Sequence, residues 1–202
     1  MPGDKVYRIA ISGKASSGKS TVASFLGDAL GLRKEDVRVL ALADPMKQIA
    51  QIMFPAANAE CLYGPSELRS KVIDPEYIDE NKKPLSYRQF LLDFGKFGRN
   101  YNKDIWVKCL AEEAKKSTHK AYIVSDVRMH NEYTHLRANG FTMIRVVRGG
   151  CKSIDDISET EQDSLPGVLF DHIIYNDLSI HDLFSRVKYI AQDLKGLNNV
   201  AF

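Results

Sequence analysis

Several things are scarce in this chain of 202 residues, and each shortage removes a class of protein. Cysteine is one. Cys61, Cys109 and Cys151 stand far apart, cannot all pair, and belong to no C-x-x-C or Cys/His cluster. That argues against a disulfide scaffold and a structural zinc site, and for a reducing compartment. Charge of one sign is also lacking: 28 Lys plus Arg against 26 Asp plus Glu leave a formal charge of +2. So small a surplus argues against a nucleic-acid polymer as partner, although a local basic cleft is compatible with it. No apolar run approaches the roughly 18 residues of a membrane span, and Met1 to Arg8 lacks the apolar core of a signal peptide. A soluble, cytoplasmic protein with no membrane partner is expected. There is no internal repeat and no low-complexity tract. What remains is an ordinary globular composition, 44% apolar and 27% charged, of a size that suits one α/β domain.

Short apolar runs alternate with helical periodicities along the chain. Tyr7 to Ser12 reads as a buried strand, and Thr21 to Leu30 as a helix stopped by Gly31. Val37 to Ala43 is strand-like. Asp44-Pro45 then ends the strand and opens a helix to about Met53, with Asp44 as its N-cap and Pro45 at N1. Residues 54–84 carry Pro55, Pro65, Pro75 and Pro84 and read as a loop-rich insertion. Two helices follow, Ser86 to about Phe97 and Asp104 to Lys116. Strands at Ala121 to Asp126, Phe141 to Val147 and Asp171 to Tyr175 are separated by helices at His130 to Ala138 and Ser179 to Leu194. Strands alternating with helices imply an α/β fold with a parallel sheet covered on both faces, whose ligands bind at the carboxyl ends of the strands.

At the first of those ends stands Gly13-Lys14-Ala15-Ser16-Ser17-Gly18-Lys19-Ser20, a full match to G-x-x-x-x-G-K-[ST]. Glycines let the backbone wrap so that successive N–H groups face phosphate oxygens, and the next helix turns its positive end to the same anion. Lys19 is placed to reach the β- and γ-phosphates, and the Ser20 hydroxyl to ligate Mg²⁺. By composition such a match arises in about one chain in a hundred of this length. Here it also has the strand before it and the helix after it that the chemistry needs. An ordinary Gly-rich turn capping a helix is the bland alternative. ATP and Mg²⁺ are the expected cofactors, lined by Gly13 through Ser20 together with Thr21 and Arg148.

A phosphate loop of this kind works with a second acid at the end of an adjacent strand. Asp126, after Tyr122-Ile123-Val124, fits as metal ligand, and Arg128 could meet a transferring phosphoryl group with its planar fork. Helix capping by Asp126 and a solvated Arg128 are the alternatives. A second anion site is suggested between Lys82 and Lys108, where seven bases face two acids and aromatic residues interleave. Arg99 is the preferred phosphate ligand there, and Trp106 one of the rings that could stack on a base. Lys47 could bind an acceptor phosphate or be a helix-surface lysine. Asp44 could hydrogen-bond a sugar or base, although capping would suffice to explain it. Arg145 and Arg148 flank a loop with five acids between Asp155 and Asp163 and could come from a closing lid.

The phosphate loop, Leu42-Ala43-Asp44-Pro45-Met46-Lys47, Phe94-Gly95-Lys96-Phe97-Gly98-Arg99 with Asp104-Ile105-Trp106-Val107, Val124 to Glu132 and Asp171 to Asp177 together resemble the viral deoxynucleoside monophosphate kinases. These kinases share the P-loop fold with phosphomevalonate kinase, whose Ser-Asp-x-Arg element is similar. The resemblance covers most of the chain. It implies a P-loop kinase fold: a five-stranded parallel sheet, a substrate-binding insertion at about 45–118 and a small lid at about 149–167 within a single domain, 1–202. It further implies transfer of the ATP γ-phosphoryl group to a nucleoside monophosphate, with Lys19, Asp126 and Arg128 catalytic and Asp44, Lys47, Arg99, Trp106 and Arg128 binding the substrate. Several relatives carry aspartate at the position of Ser20. The serine here implies conventional Mg²⁺ ligation. A kinase of another small phosphate, a kinase of a hydroxymethylated base in DNA, and an ATP-binding regulatory module stay open as alternatives, as does a homodimer.

Overall fold

In the computed structural model, residues 5–80, 82–116, 118–150 and 165–196 are described. Five strands form one parallel sheet: β1 (Tyr7–Ser12), β2 (Val37–Leu40), β3 (Ala121–Val127), β4 (Thr142–Val147) and β5 (His172–Tyr175), in the order β2-β3-β1-β4-β5. Ile9 to Ser12 and Ala121 to Val124 are buried throughout, which explains why these strands read as continuous apolar runs rather than alternating ones. From β1 the chain first builds β2 and β3 on one side, then β4 and β5 on the other. The carboxyl end of β1 is therefore the topological switch point, where such sheets take their ligands.

Among the described residues the helices are α1 (Lys19–Leu30), α2 (Asp44–Met53), α3 (Ala59–Tyr63), α4 (Tyr87–Tyr101), α5 (Ile105–Lys116), α6 (His130–Ala138) and α7 (Ile180–Leu194). The chain divides into two compact units. The first, Met1–Ala41 with Ala111–Phe202, contains the sheet. Its core joins Ile9, Ile11, Ile123, Ile144 and Ile174 of the strands to Val22 and Leu26 of α1 and to Leu183, Val187 and Ile190 of α7. The α7 residues recur at i, i+4 and i+7, one stripe of an amphipathic helix. Ser179 caps that helix reciprocally with Asp182. The second unit, Leu42–Leu110, has its own core of Ala50, Phe54, Cys61, Leu62, Tyr87 and Phe90. Along its α4 the rings of Phe90, Phe94 and Phe97 stack at centroid spacings of 5.5 and 5.8 Å. Among the described residues no helix is long and apolar enough to cross a membrane.

Sequence periodicity and structure part company at element ends. β2 stops at Leu40 rather than Ala43, because Leu42 and Ala43 already turn into α2. Asp44 is the first residue of that helix and not its cap. Ala43 holds the cap position without a side-chain bond, and the Asp44 carboxylate is drawn instead to Lys47 one turn on, at 2.8 Å. α1 starts at Lys19, two residues before Thr21, and α4 runs on to Tyr101, with Asn102 at its C-cap.

Candidate active site

Between β1 and α1 the backbone makes a tight loop whose glycines are fixed by what lies against them. A side chain at Gly13 would place Cβ 2.4 Å from Val146 O. Gly18 has φ +100°, a left-handed conformation that favours glycine, and its Cβ would fall 2.4 Å from Asn176 Nδ2. Ser16, at the exposed tip, holds φ +62°, a conformation non-glycine residues enter at some cost. Ser17 is 1% exposed, and its Oγ is the one buried side-chain polar atom without a partner among the described residues. Lys19 Nζ donates to Gly13 O and Lys14 O, so its ammonium spans the loop. Both acceptors are neutral carbonyls, and phosphate oxygens would give the same ammonium stronger, charge-assisted bonds. The twelve residues of α1 turn their positive end to the same place.

Beside β1 runs β3, with Ser12 paired to Val127, and it carries Asp126 and Arg128 to the same sheet edge. Glu132, in the first turn of α6, pins that turn: its carboxylate accepts from Arg128 N–H at 2.8 Å and Met129 N–H at 2.9 Å. The signal for this role of Glu132 is present in the sequence, since an acid three residues after a helix cap is the visible half of a capping box. Ser20 is exposed and Asp126 half-buried. A hydroxyl and a carboxylate are hard oxygen donors of the kind Mg²⁺ takes when phosphates and water complete its shell, so these residues fit that ion. No group of three or more His, Cys, Asp or Glu able to hold a metal occurs among the described residues.

At the far end of β5, Asn176 Nδ2 donates to Ser17 O at 2.9 Å and Asp177 Oδ1 accepts Gly149 N–H at 2.6 Å. Neither role was legible, because both partners are distant in sequence. Arg148 is exposed next to that turn. Arg145 lies within β4 itself. Its Nη1 donates to Leu165 O at 2.7 Å and its guanidinium lies 5.3 Å from the Phe170 ring centroid, so it ties β4 to the segment before β5. The acids from Asp155 to Asp163, and Cys151, lie outside the described residues.

The second unit holds the remaining candidates. Lys47 is 7% exposed, bonded to Asp44, with Nζ 5.2 Å from the Tyr63 ring centroid. Burial and then the Asp44 charge push the Tyr63 phenol above its usual pKa, and its hydroxyl donates to Gln51 Oε1 at 3.1 Å. Arg99 lies on α4, its guanidinium 3.5 Å from where a Gly95 Cβ would sit. Trp106 is buried, and its Nε1–H donates to Gly95 O at 3.0 Å. Its indole fills the space beside Gly98, where a Cβ would fall 2.3 Å from Cζ2. The two glycines of the Gly95-Lys96-Phe97-Gly98 stretch thus admit Trp106 and leave room for Met46 and Arg99.

Comparison with known proteins adds an independent line. Residues 66–187 match the family model described as deoxynucleotide monophosphate kinase, a segment that begins well beyond the phosphate loop. A putative deoxynucleotide monophosphate kinase of Acanthamoeba polyphaga mimivirus is 27% identical over 202 residues, covering 94% of this chain and 98% of that one. The deoxynucleotide monophosphate kinase of Enterobacteria phage T4 is 38% identical over 92 residues, which span 44% of this chain and 37% of the phage protein. Among solved structures, an unliganded sugar kinase from Janibacter sp. HTCC2649 aligns over 96% of both chains with a TM-score of 0.45 at 13% identity.

Proposed function

Because this chain belongs to the deoxynucleotide monophosphate kinase family, we propose that it transfers the γ-phosphoryl group of ATP to a deoxynucleoside monophosphate and releases the two diphosphates. In this reading an acceptor phosphate oxygen attacks the γ-phosphorus while the bond to the β,γ-bridging oxygen breaks, so ADP leaves with the electron pair. The loop amides from Gly13 to Ser20 hold the triphosphate, and Lys19 exchanges its two carbonyl partners for β- and γ-oxygens. Ser20 and Asp126 would hold Mg²⁺, which when bound supplies charge neutralisation at those oxygens. Arg128, set on a turn fastened by Glu132, meets the transferring group, and Arg148 assists the donor phosphates. Positioning and charge carry the catalysis, with little covalent work for the protein.

The acceptor brings a second dianion, and like charges about 4 Å apart repel by roughly 4 kcal/mol per unit pair at a surface-like dielectric. Cations outside the phosphate loop must offset this. Arg99 is the first choice, with Lys47 second because Asp44 already holds its ammonium. Asp44 is then an acceptor for a sugar or base donor, and Trp106 seats the α4 turn that carries Arg99.

One observation carries this reading: a complete phosphate-loop motif, set between β1 and α1, in a chain whose family match starts only at residue 66. Two unconnected parts of the sequence thus point to one chemistry. The test is ADP release from ATP measured with dAMP, dGMP, dCMP and dTMP in turn. At least one should stimulate release, and Lys19→Ala should lose it by about a hundredfold or more without a change in melting temperature. A wild-type protein that ignores all four monophosphates would overturn the assignment.

A further inference from the structure

Asn176 follows β5 directly and is none of the groups assigned above to phosphate, metal or acceptor. Its own backbone is anchored. The Asn176 N–H donates to Val147 O at 2.7 Å, and the next residue, Asp177, accepts from Gly149 N–H at 2.6 Å. From that base the amide Nδ2 reaches 159 positions back along the chain to donate to Ser17 O at 2.9 Å. The nitrogen sits in space that a side chain at Gly18 would need, 2.4 Å from the position of a Cβ. Ser17 cannot steady this peptide with its own hydroxyl, because that Oγ is buried without a partner.

A peptide group is planar and, with no cis bond among the described residues, its C=O and N–H point in opposite directions. A donor that draws Ser17 O toward the end of β5 therefore turns the Gly18 N–H the other way. That N–H belongs to the run of loop amides that must face phosphate oxygens. We propose that Asn176 is a positioning residue for the donor nucleotide: through the Ser17 carbonyl it sets the direction of the Gly18 N–H and orders the loop before ATP arrives. Gly18 has two requirements in consequence. Its φ of +100° disfavours a side chain, and a Cβ there would force the Asn176 amide to shift from the position in which it holds Ser17 O. This inference rests on the reading of Gly13 to Ser20 as the triphosphate cradle.

The experiment uses the whole protein with ATP as the probe. ATP affinity is measured by equilibrium dialysis, and Michaelis constants for ATP and for the best monophosphate are measured beside it. The variants are Asn176→Ala, Asn176→Leu and Lys19→Ala, each with its melting temperature. Both Asn176 variants lose the donor, and Leu keeps the branched shape with the same number of heavy atoms. Each should weaken ATP binding and raise the Michaelis constant for ATP by about fivefold to tenfold, the scale of one neutral hydrogen bond. The constant for the monophosphate should change by less than about twofold, and the melting temperature should fall by no more than about 4 °C. Unchanged ATP affinity in both variants would overturn the proposal. So would recovery by Leu alone, which would make Asn176 a space filler, or an equal rise for both substrates with a large loss of thermal stability, which would make it a fold determinant. Lys19→Ala separates the two levels of inference. If it cripples ATP binding or turnover while the Asn176 variants do not, only the positioning role fails. If Lys19→Ala is itself silent, the cradle reading fails with it.

Discussion

Cations on this chain differ by what already holds them. Lys19 is bonded to carbonyls it can leave, Lys47 is buried against a carboxylate, and Arg145 is tied to Leu165 and Phe170. A guanidinium offers two parallel donors to phosphate where an ammonium offers a point charge, which favours Arg99 and Arg128 as ligands of moving phosphate groups. Their roles separate kinetically. Arg99→Ala is expected to raise the Michaelis constant for the monophosphate tenfold to a hundredfold, because a charge-assisted bond is worth about 1.5–3 kcal/mol. The constant for ATP should move far less. Arg128→Ala should instead lower turnover by a similar factor, since it would act on the group in transit. Steady-state kinetics with each substrate varied in turn checks both. If Arg99→Ala weakened ATP and spared the monophosphate, the acceptor phosphate would have to be assigned elsewhere.

Elements are fixed by contacts that a single changed atom can break. α4 meets Trp106 through Gly98, where an added Cβ would lie 2.3 Å from a buried indole carbon. A rigid ring cannot yield as a flexible side-chain end would. Gly98→Ala should therefore cost about 1–3 kcal/mol of stability, read as a lower urea midpoint, and should weaken the monophosphate together with it. At the start of β5, Asp171 accepts from Met143 N–H at 2.7 Å and from Arg137 of α6. Burial raises the Asp171 pKa, but the bonds from Arg137 and Met143 outweigh it, and the net value is below the usual one. A carboxyl lowered in the folded state stabilises the fold above its unfolded value, near 3.9, and that contribution is lost as pH falls through the folded value. Asp171→Asn should accordingly unfold at lower urea than the wild type at pH 7. The gap should narrow as the pH is taken below about 4. A gap that stays constant with pH would mean the charge is irrelevant. The contrast between these residues shows what sequence periodicity can carry. The strand and helix cores were legible because burial on a sheet or one helix face repeats regularly, as in Ile9 to Ile11 or Leu183-Val187-Ile190. The ends of β2 and α4 and the tie made by Glu132 turn on single local contacts that periodicity does not carry, and the ties made by Asn176 and Asp171 depend on partners distant in the chain.

On the scale of the whole molecule, the question is whether the acceptor is a free nucleotide or a base within DNA. The formal charge is only +2, and the seven bases between Lys82 and Lys108 are not all available as one patch. Arg88 donates to the backbone and side chain of Ser66, at 2.9 and 3.3 Å, and is committed within the protein. A polymer is bound by neutralising many phosphates and releasing their counterions. Duplex DNA contacted at about six phosphates would give a slope near −5 for log affinity against log salt concentration. A free monophosphate carries no condensed counterion layer. Its attraction to two or three cations is weakened by screening over a Debye length of about 8–10 Å, a much gentler dependence. We therefore expect acceptor affinity, measured between about 50 and 200 mM salt, to fall by less than about tenfold, against the thousandfold or more of a polymer with six to ten contacts. A single-stranded or duplex oligonucleotide carrying the same base should bind no tighter than the free monophosphate. A slope near −5, or preference for the oligonucleotide, would move the acceptor from the nucleotide pool to the nucleic acid itself.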